Sequence, residues 1–275
     1  MDNLYIQHCQ ELRELYQKNV NYRINNDLQE LDYNVDIDQL RKEIFSIITK
    51  NDYGYDTVSL RMPIDNTNWV DQKENVTTGG INPIYYDIRK PEMRDDFNFR
   101  PNIDYTEWHP DINKDSYIIK LINEIENFVG LKIGRVRLAW QPPNYGYTLH
   151  SDHEPMRLHI PIITNKDAWF INDKKIYHMD YGKLYHLITT GPHTATNYGA
   201  LPRLHLILST YVSEEITKKI FELKDPVKSI DNFKDTINQQ GVDQNSLAVL
   251  LKLEKTQKLI GQDDIVLINK IIKEK

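Results

Sequence analysis

A single cysteine, Cys9, stands in a chain of 275 residues, so no internal disulfide can staple the fold. That points to a reducing compartment. No apolar run approaches the ~20 residues needed to span a bilayer. The opening stretch "MDNLYIQHCQELREL" lacks an apolar segment of signal-peptide length, and alternates charge with leucine as an amphipathic helix does. Basic residues are in deficit, with 34 Lys and Arg against 40 Asp and Glu and a net charge of −6. Phosphate binding wants a basic face, so nucleic acid is not the expected main partner. No internal repeat or low-complexity tract is evident. These absences leave a soluble, cytoplasmic protein as the expectation, with neither membrane nor nucleic acid among its partners.

What is present is ordinary globular material: 40% hydrophobic and 27% charged residues, in a chain long enough to bury a large core. The N-terminal part reads as helical. Ile37, Leu40, Ile44, Phe45 and Ile48 share a helical face behind an Asp36 cap. From 52 to 110 the periodicity fades into Gly, Pro, Asn and Tyr. Such a stretch serves as a lid or substrate loop, or wraps the domain with short strands that the pattern does not reveal. A helix follows in "DSYIIKLINEIENFVG", with Asp115 as cap and Gly130 as stop. "KIGRVRLAWQ", "RLHIPIIT", "AWFINDKKIYHM", "GKLYHLITT" and "RLHLILSTYV" then read as strands, so 131–212 is an antiparallel system, a jelly roll or a barrel. Residues 213–275 return to amphipathic helix: a helical subdomain and a candidate homodimer surface.

The chemistry concentrates in "YTLHSDHEPMRLHI". Histidine and aspartate two apart on an extended segment face the same way, so His150 and Asp152 can take one metal ion together. Two imidazoles and a carboxylate on one face of an octahedron leave three positions open, the arrangement of non-haem Fe(II) oxygenases. The spacing alone is weak, because "HPD" at His109 and "HMD" at His178 repeat it. His109 sits before a helix, where Asp111 fits a turn or cap, and His178 precedes a turn. His150 has a partner downstream in His193 of "GPHTATNYGALPRLHLIL". Arg203, ten residues further, can return by a hairpin toward the metal, and its planar fork suits a carboxylate.

This order of residues resembles the aspartyl/asparaginyl β-hydroxylase-like family, a branch of the Fe(II)/2-oxoglutarate dioxygenases that includes bacterial proline hydroxylases. The matching residues are His150 and Asp152, Arg157 and His159, Gly182, His193 and Arg203. The resemblance covers roughly 131–212. It implies an α+β fold: a double-stranded β-helix (jelly-roll) core with N-terminal helices and a C-terminal helical appendage, the core domain being 1–212. It implies Fe(II) on His150, Asp152 and His193, and Arg203 on the distal carboxylate of 2-oxoglutarate. Arg157 and His159 would lie near the cosubstrate's other end or a substrate acid. Arg137 falls where relatives place a basic substrate contact, with a surface salt bridge as the alternative. Trp140, Tyr85 and Tyr86 are candidates for lining a substrate pocket or simply for the core. His205 shares the face of Arg203 and reads as a packed histidine.

Two departures stand out. Ala139 takes the place of a serine that helps some relatives hold 2-oxoglutarate, so another donor is needed. "LITTG" replaces acidic residues common before the second histidine. The presence of Asp152 favours hydroxylation over halogenation. The expected activity is an Fe(II)- and 2-oxoglutarate-dependent hydroxylase using O2, with ascorbate as reductant in vitro. A free amino acid or similar small carboxylate is the expected substrate. A protein or peptide side chain is the alternative within the class, and a non-catalytic jelly-roll binding module the alternative outside it.

Overall fold

A computed structural model describes residues 3–51, 57–63, 70–71, 105–143, 145–146, 156–172, 175–188, 193–197 and 199–210. The expected C-terminal subdomain at 213–275, Tyr85, Tyr86, His150, Asp152 and His153 lie outside the described residues.

The chain begins with α1 (Asn3–Asn19), β1 (Leu28–Asn34), α2 (Ile37–Asn51), β2 (Thr57–Pro63) and β3 (Val70–Asp71). β4 (Tyr105–Trp108), α3 (Tyr117–Val129), β5 (Ile133–Gln141), β6 (Tyr145–Gly146) and β7 (Met156–Ile163) follow. β8 (Ala168–Asn172), β9 (Lys175–Tyr177), β10 (Lys183–Ile188), β11 (His193–Asn197) and β12 (Arg203–Thr210) complete it. The large sheet has eight strands in the order β1-β10-β7-β12-β5-β2-β3, with β4 on β2; the smaller one runs β6-β11-β8-β9. Every pairing is antiparallel. Two antiparallel sheets face to face, with helices behind the larger one, make an α+β fold with a double-stranded β-helix core.

The helices hold the back of the large sheet. α2 starts as expected, the Gln39 amide donating to Asp36 Oδ1 at 3.1 Å. It buries Leu40, Ile44 and Ile47. Phe45, expected on that face, is 38% exposed, because it falls a residue beyond the buried stripe. The cap of α3 is Ser116 rather than Asp115: the Ser116 hydroxyl accepts from the Ile119 amide. Glu43 of α2 adds its carboxylate to the same terminus, taking the amides of Tyr117 at 2.7 Å and Ile118 at 3.0 Å. Gly130 closes the helix with φ of 80°, a left-handed cap that suits glycine.

Of the two readings left open for 52–110, β2 follows the second, a short strand that the pattern did not reveal: it pairs with β5 and buries Val58 and Leu60 completely. β1 was hidden in a region expected to be helical; it pairs with β10 at the edge of the large sheet. The two competing H-x-D pairs are structural. His109 Nδ1 accepts from the Asp111 amide at 3.2 Å, while Asp111 holds Lys50 and Asn51. His178 Nδ1 meets the Ala168 carbonyl at 3.1 Å. His186 is fully buried between the Tyr22 hydroxyl at 2.9 Å and the Asn26 carbonyl at 2.7 Å. Among the described residues, no helix is long and apolar enough to cross a membrane.

Candidate active site

Strand alternation divides the large sheet into two unlike faces. Even-numbered residues of β5, β7 and β12 pack into the helix-side cluster: Val136, Leu138, Leu158, Ile160, Leu204 and Leu206 among them. Odd-numbered residues turn toward the small sheet. There Arg137, Arg157 and Arg203 are buried at 2%, 5% and 6% exposure, beside His159 and His205. The register aligns them: Arg203 opposite Gln141, His205 opposite Ala139 and Pro161, Ile207 opposite Arg137 and His159, and Ser209 opposite Arg157. None of these three strands carries an aspartate or glutamate.

The small sheet supplies the opposite wall. His193, Ala195 and Asn197 alternate onto one face of β11, and Ala195 packs with Phe170, Tyr185 and Leu187 in the inter-sheet apolar cluster. The His193 ring, 3% exposed, stacks on Phe170 at 5.7 Å and 18°. Phe170 presents its edge to His159 across the gap, 6.2 Å between ring centroids. Gln141 ties the sheets together, donating through Nε2 to the Ala195 carbonyl at 2.7 Å while its Oε1 accepts from Arg203 Nη1 at 3.4 Å. Arg203 Nη2 meets His205 Nδ1 at 3.1 Å, and His205 Nδ1 lies 3.4 Å from His159 Nδ1.

Electrostatics follow from burial. His159 is held well below the ordinary histidine pKa, first by burial and then by Arg203, Arg157, Arg137 and His193. His205 is lowered in the same direction by burial, then by Arg203, His159 and His178. Both imidazoles are therefore neutral in a field of guanidinium groups.

The turn after β11 fixes where Arg203 begins. Asn197 Nδ2 donates to the Leu201 carbonyl at 2.8 Å and to the Gln141 and Pro142 carbonyls at 3.2 Å. Gly199 lies against Asn165, where a Cβ would come within 2.1 Å of Oδ1.

The structure thus brings together His193, Arg203, His159, Arg157 and Arg137. Trp140 is not brought there: it packs against the helix-side cluster, three residues from Arg137 and so on the other face of β5. Gln141, Phe170 and His205 belong to the assembly without having been singled out for it. His205 and Gln141 carried a signal, an odd number on a strand whose odd residues include an arginine candidate. Phe170 carried none, since its contact with His193 depends on pairing between two strands of the small sheet.

A buried cationic wall of three guanidiniums fits a dianionic cosubstrate, and a buried imidazole at the head of β11 fits a first-row metal. Among the described residues there is no cluster of three metal-ligating side chains, the other two expected ligands being outside them.

Residues 105–212 match the Aspartyl/Asparaginyl beta-hydroxylase family. The match spans β4 to β12, and so takes in every residue of the site just described. The match bears out the resemblance that the order of the histidines and arginines had indicated, over about two fifths of the chain. No curated protein matches the chain in sequence. Among solved structures the chain is similar to a prolyl hydroxylase from Trichoplax adhaerens, in complex with a hypoxia inducible factor peptide fragment. That likeness has 12% identity over 82% of this chain and 98% of that one, TM-score 0.39. It is also similar to a cupin domain from Bordetella pertussis Tohama I, with 14% identity over 28% of this chain and 81% of that one, TM-score 0.25. A predicted oxalate decarboxylase from Thermotoga maritima gives 14% identity over 33% and 73%, TM-score 0.26. At such scores none of these likenesses bears on substrate or ligand.

Proposed function

We propose that the protein is an Fe(II)- and 2-oxoglutarate-dependent hydroxylase of a free amino acid or a similar small carboxylate, with cytoplasmic location. The observation that carries this reading is the buried cationic face of β5, β7 and β12 set opposite His193. His193, with His150 and Asp152, would hold Fe(II). Arg203, steadied by Gln141 and His205, would take the distal carboxylate of 2-oxoglutarate. With metal, cosubstrate and O2 bound, the chemistry supplied is oxygenation of a C–H bond coupled to decarboxylation of 2-oxoglutarate to succinate and CO2.

The chain's own residues bind and shield. Arg157 and His159 lie further along the same wall, where the near end of the cosubstrate or a substrate acid would sit. Arg137, in register with Ser59 and Ile207, would take the substrate carboxylate. Guanidinium groups held on one buried face would give a dianion and a substrate carboxylate charge-assisted hydrogen bonds. Phe170, Tyr185 and Leu187 exclude water from the gap between the sheets. A homodimer would form through 213–275, the segment whose sequence reads as amphipathic helix.

Succinate formation from 2-oxoglutarate with Fe(II), ascorbate and air, across pooled free amino acids, tests the reading, with Asp152→Ala as control. Stimulation by one pool, lost in the variant, is the expected result. Silence across all pools with 2-oxoglutarate still bound would move the substrate to a peptide side chain. Failure to bind Fe(II) or 2-oxoglutarate at all would leave a non-catalytic jelly-roll module.

A further inference from the structure

The tautomer of His205 can be read from its neighbours. A guanidinium has only donors, so an Arg203 Nη2–H pointing at His205 Nδ1 over 3.1 Å requires a lone pair on that nitrogen. A neutral imidazole with a lone pair on Nδ1 carries its proton on Nε2. The neighbouring contact agrees: His159 Nδ1, 3.4 Å from the same atom, avoids a clash of lone pairs by being protonated. His205 therefore presents an Nε2–H. That donor is buried and has no hydrogen-bond partner among the described residues. An orphaned buried donor costs about 1–3 kcal/mol, so it is kept for something.

Its surroundings say for what. His205 is 1% exposed on the inter-sheet face, two residues from Arg203 and directly opposite Ala139 in the register. Ala139 has no polar side-chain atom, so the β5 residue directly opposite offers this donor no side-chain acceptor. Gln141 and His205 are both neutral, and thus orient Arg203 without cancelling its charge. We propose that His205 is an anion-binding residue of the site, an Nε2–H donor that shares with Arg203 the carboxylate bound there. This rests on the reading of Arg203 as a carboxylate anchor, and it supplies the donor that Ala139 cannot. His205 is kept neutral by burial and by Arg203, so it donates one hydrogen bond from Nε2 without adding a second charge.

The test uses the full chain labelled with 15N-histidine, titrated without oxygen against two dianions, 2-oxoglutarate and glutarate. The His205 signals should report the Nε2–H tautomer at neutral pH, and its Nε2 resonance should move on addition of either dianion. His205→Asn keeps an acceptor near the Nδ1 position and lacks the distal donor; both dianions should weaken by about 10- to 100-fold. His205→Gln, whose amide nitrogen reaches the Nε2 position, should stay near wild type. A proton found on Nδ1, wild-type affinity in His205→Asn, or equal weakening in both variants would overturn the proposal. Binding of glutarate but not 2-oxoglutarate would sink the cosubstrate assignment and leave His205 standing. Binding of neither would remove both.

Discussion

On the helix side of the large sheet, β5, β7 and β12 contribute Val136, Leu138, Leu158, Ile160, Leu204 and Leu206, all fully buried in one apolar cluster. On the other side the same strands contribute Arg137, Gln141, Arg157, His159, Arg203 and His205, also buried. Neighbouring residues in sequence thus enter two different kinds of interior. Burying each leucine stabilises the fold by about 1.5–3 kcal/mol. Burying each guanidinium costs several kcal/mol before its interactions are counted. Stability therefore resides on the even-numbered face. The odd-numbered face draws on that surplus to hold buried charge, and an anion reaching it would be recognised strongly.

The sharpest way to break this contrast is to exchange losses between the faces. Leu206→Ala should destabilise by about 2–5 kcal/mol and leave 2-oxoglutarate affinity of the folded protein close to wild type. Arg203→Met should do the reverse in binding, dianion affinity falling away while the change in stability stays below that of Leu206→Ala. Urea denaturation beside anaerobic ligand titration reads both. Equal destabilisation in the two variants would mean the faces are not divided in this way.

A second prediction concerns the histidines. His186 is a polar intruder on the helix-side face, and burial lowers its pKa to about 4. The unfolded chain binds its proton near pH 6.5, so the stability linked to His186 is present above that pH. It is lost as pH falls toward 4, by about 3 kcal/mol in all. His159 and His205 act in the same direction. Melting followed from pH 7 to 4.5 should show a steep decline that His186→Asn makes shallower; an unchanged slope would remove His186 from the account.

The smallest expected effect lies at the helix terminus that backs the sheet. Ser116→Ala should cost about 1 kcal/mol, because one capping bond is lost. Glu43 still satisfies the amides of Tyr117 and Ile118, so the loss should stay at the low end. A shift in melting temperature several-fold larger would show that Ser116 also governs how α3 seats on β5.

Legibility in the sequence followed the same division. β5, β7 and β12 alternate a mostly apolar series with polar residues, and such a series announces a half-apolar strand. β1 did not announce itself, since its buried residues Leu28 and Leu31 lie three apart and its remaining residues are polar. β11, "HTATN", has no large apolar residue to give it a period. β2 is short and set among glycine- and proline-rich stretches, which masked the alternation of Val58 and Leu60. In the site, His193, Arg203, His159, Arg157 and Arg137 could be gathered because each sits at a counted spacing. The same counting, applied to Trp140, places it on the opposite face from Arg137, as the structure does. Glu43 capping α3 could not be read, because it joins segments more than 70 residues apart.

The turn between β11 and β12 has a consequence for how such a site can change over generations. His193 opens one strand and Arg203 opens the next, and hydrogen bonds of Asn197 to Asn165 and Leu201 tie the described part of the turn between them. Its length is a gauge for the separation of these two residues. Substrate preference can drift by exchanging side chains along the sheet face, one at a time, but an inserted residue in this turn would move the gauge itself. Insertions should be purged here even where the surrounding residues vary freely.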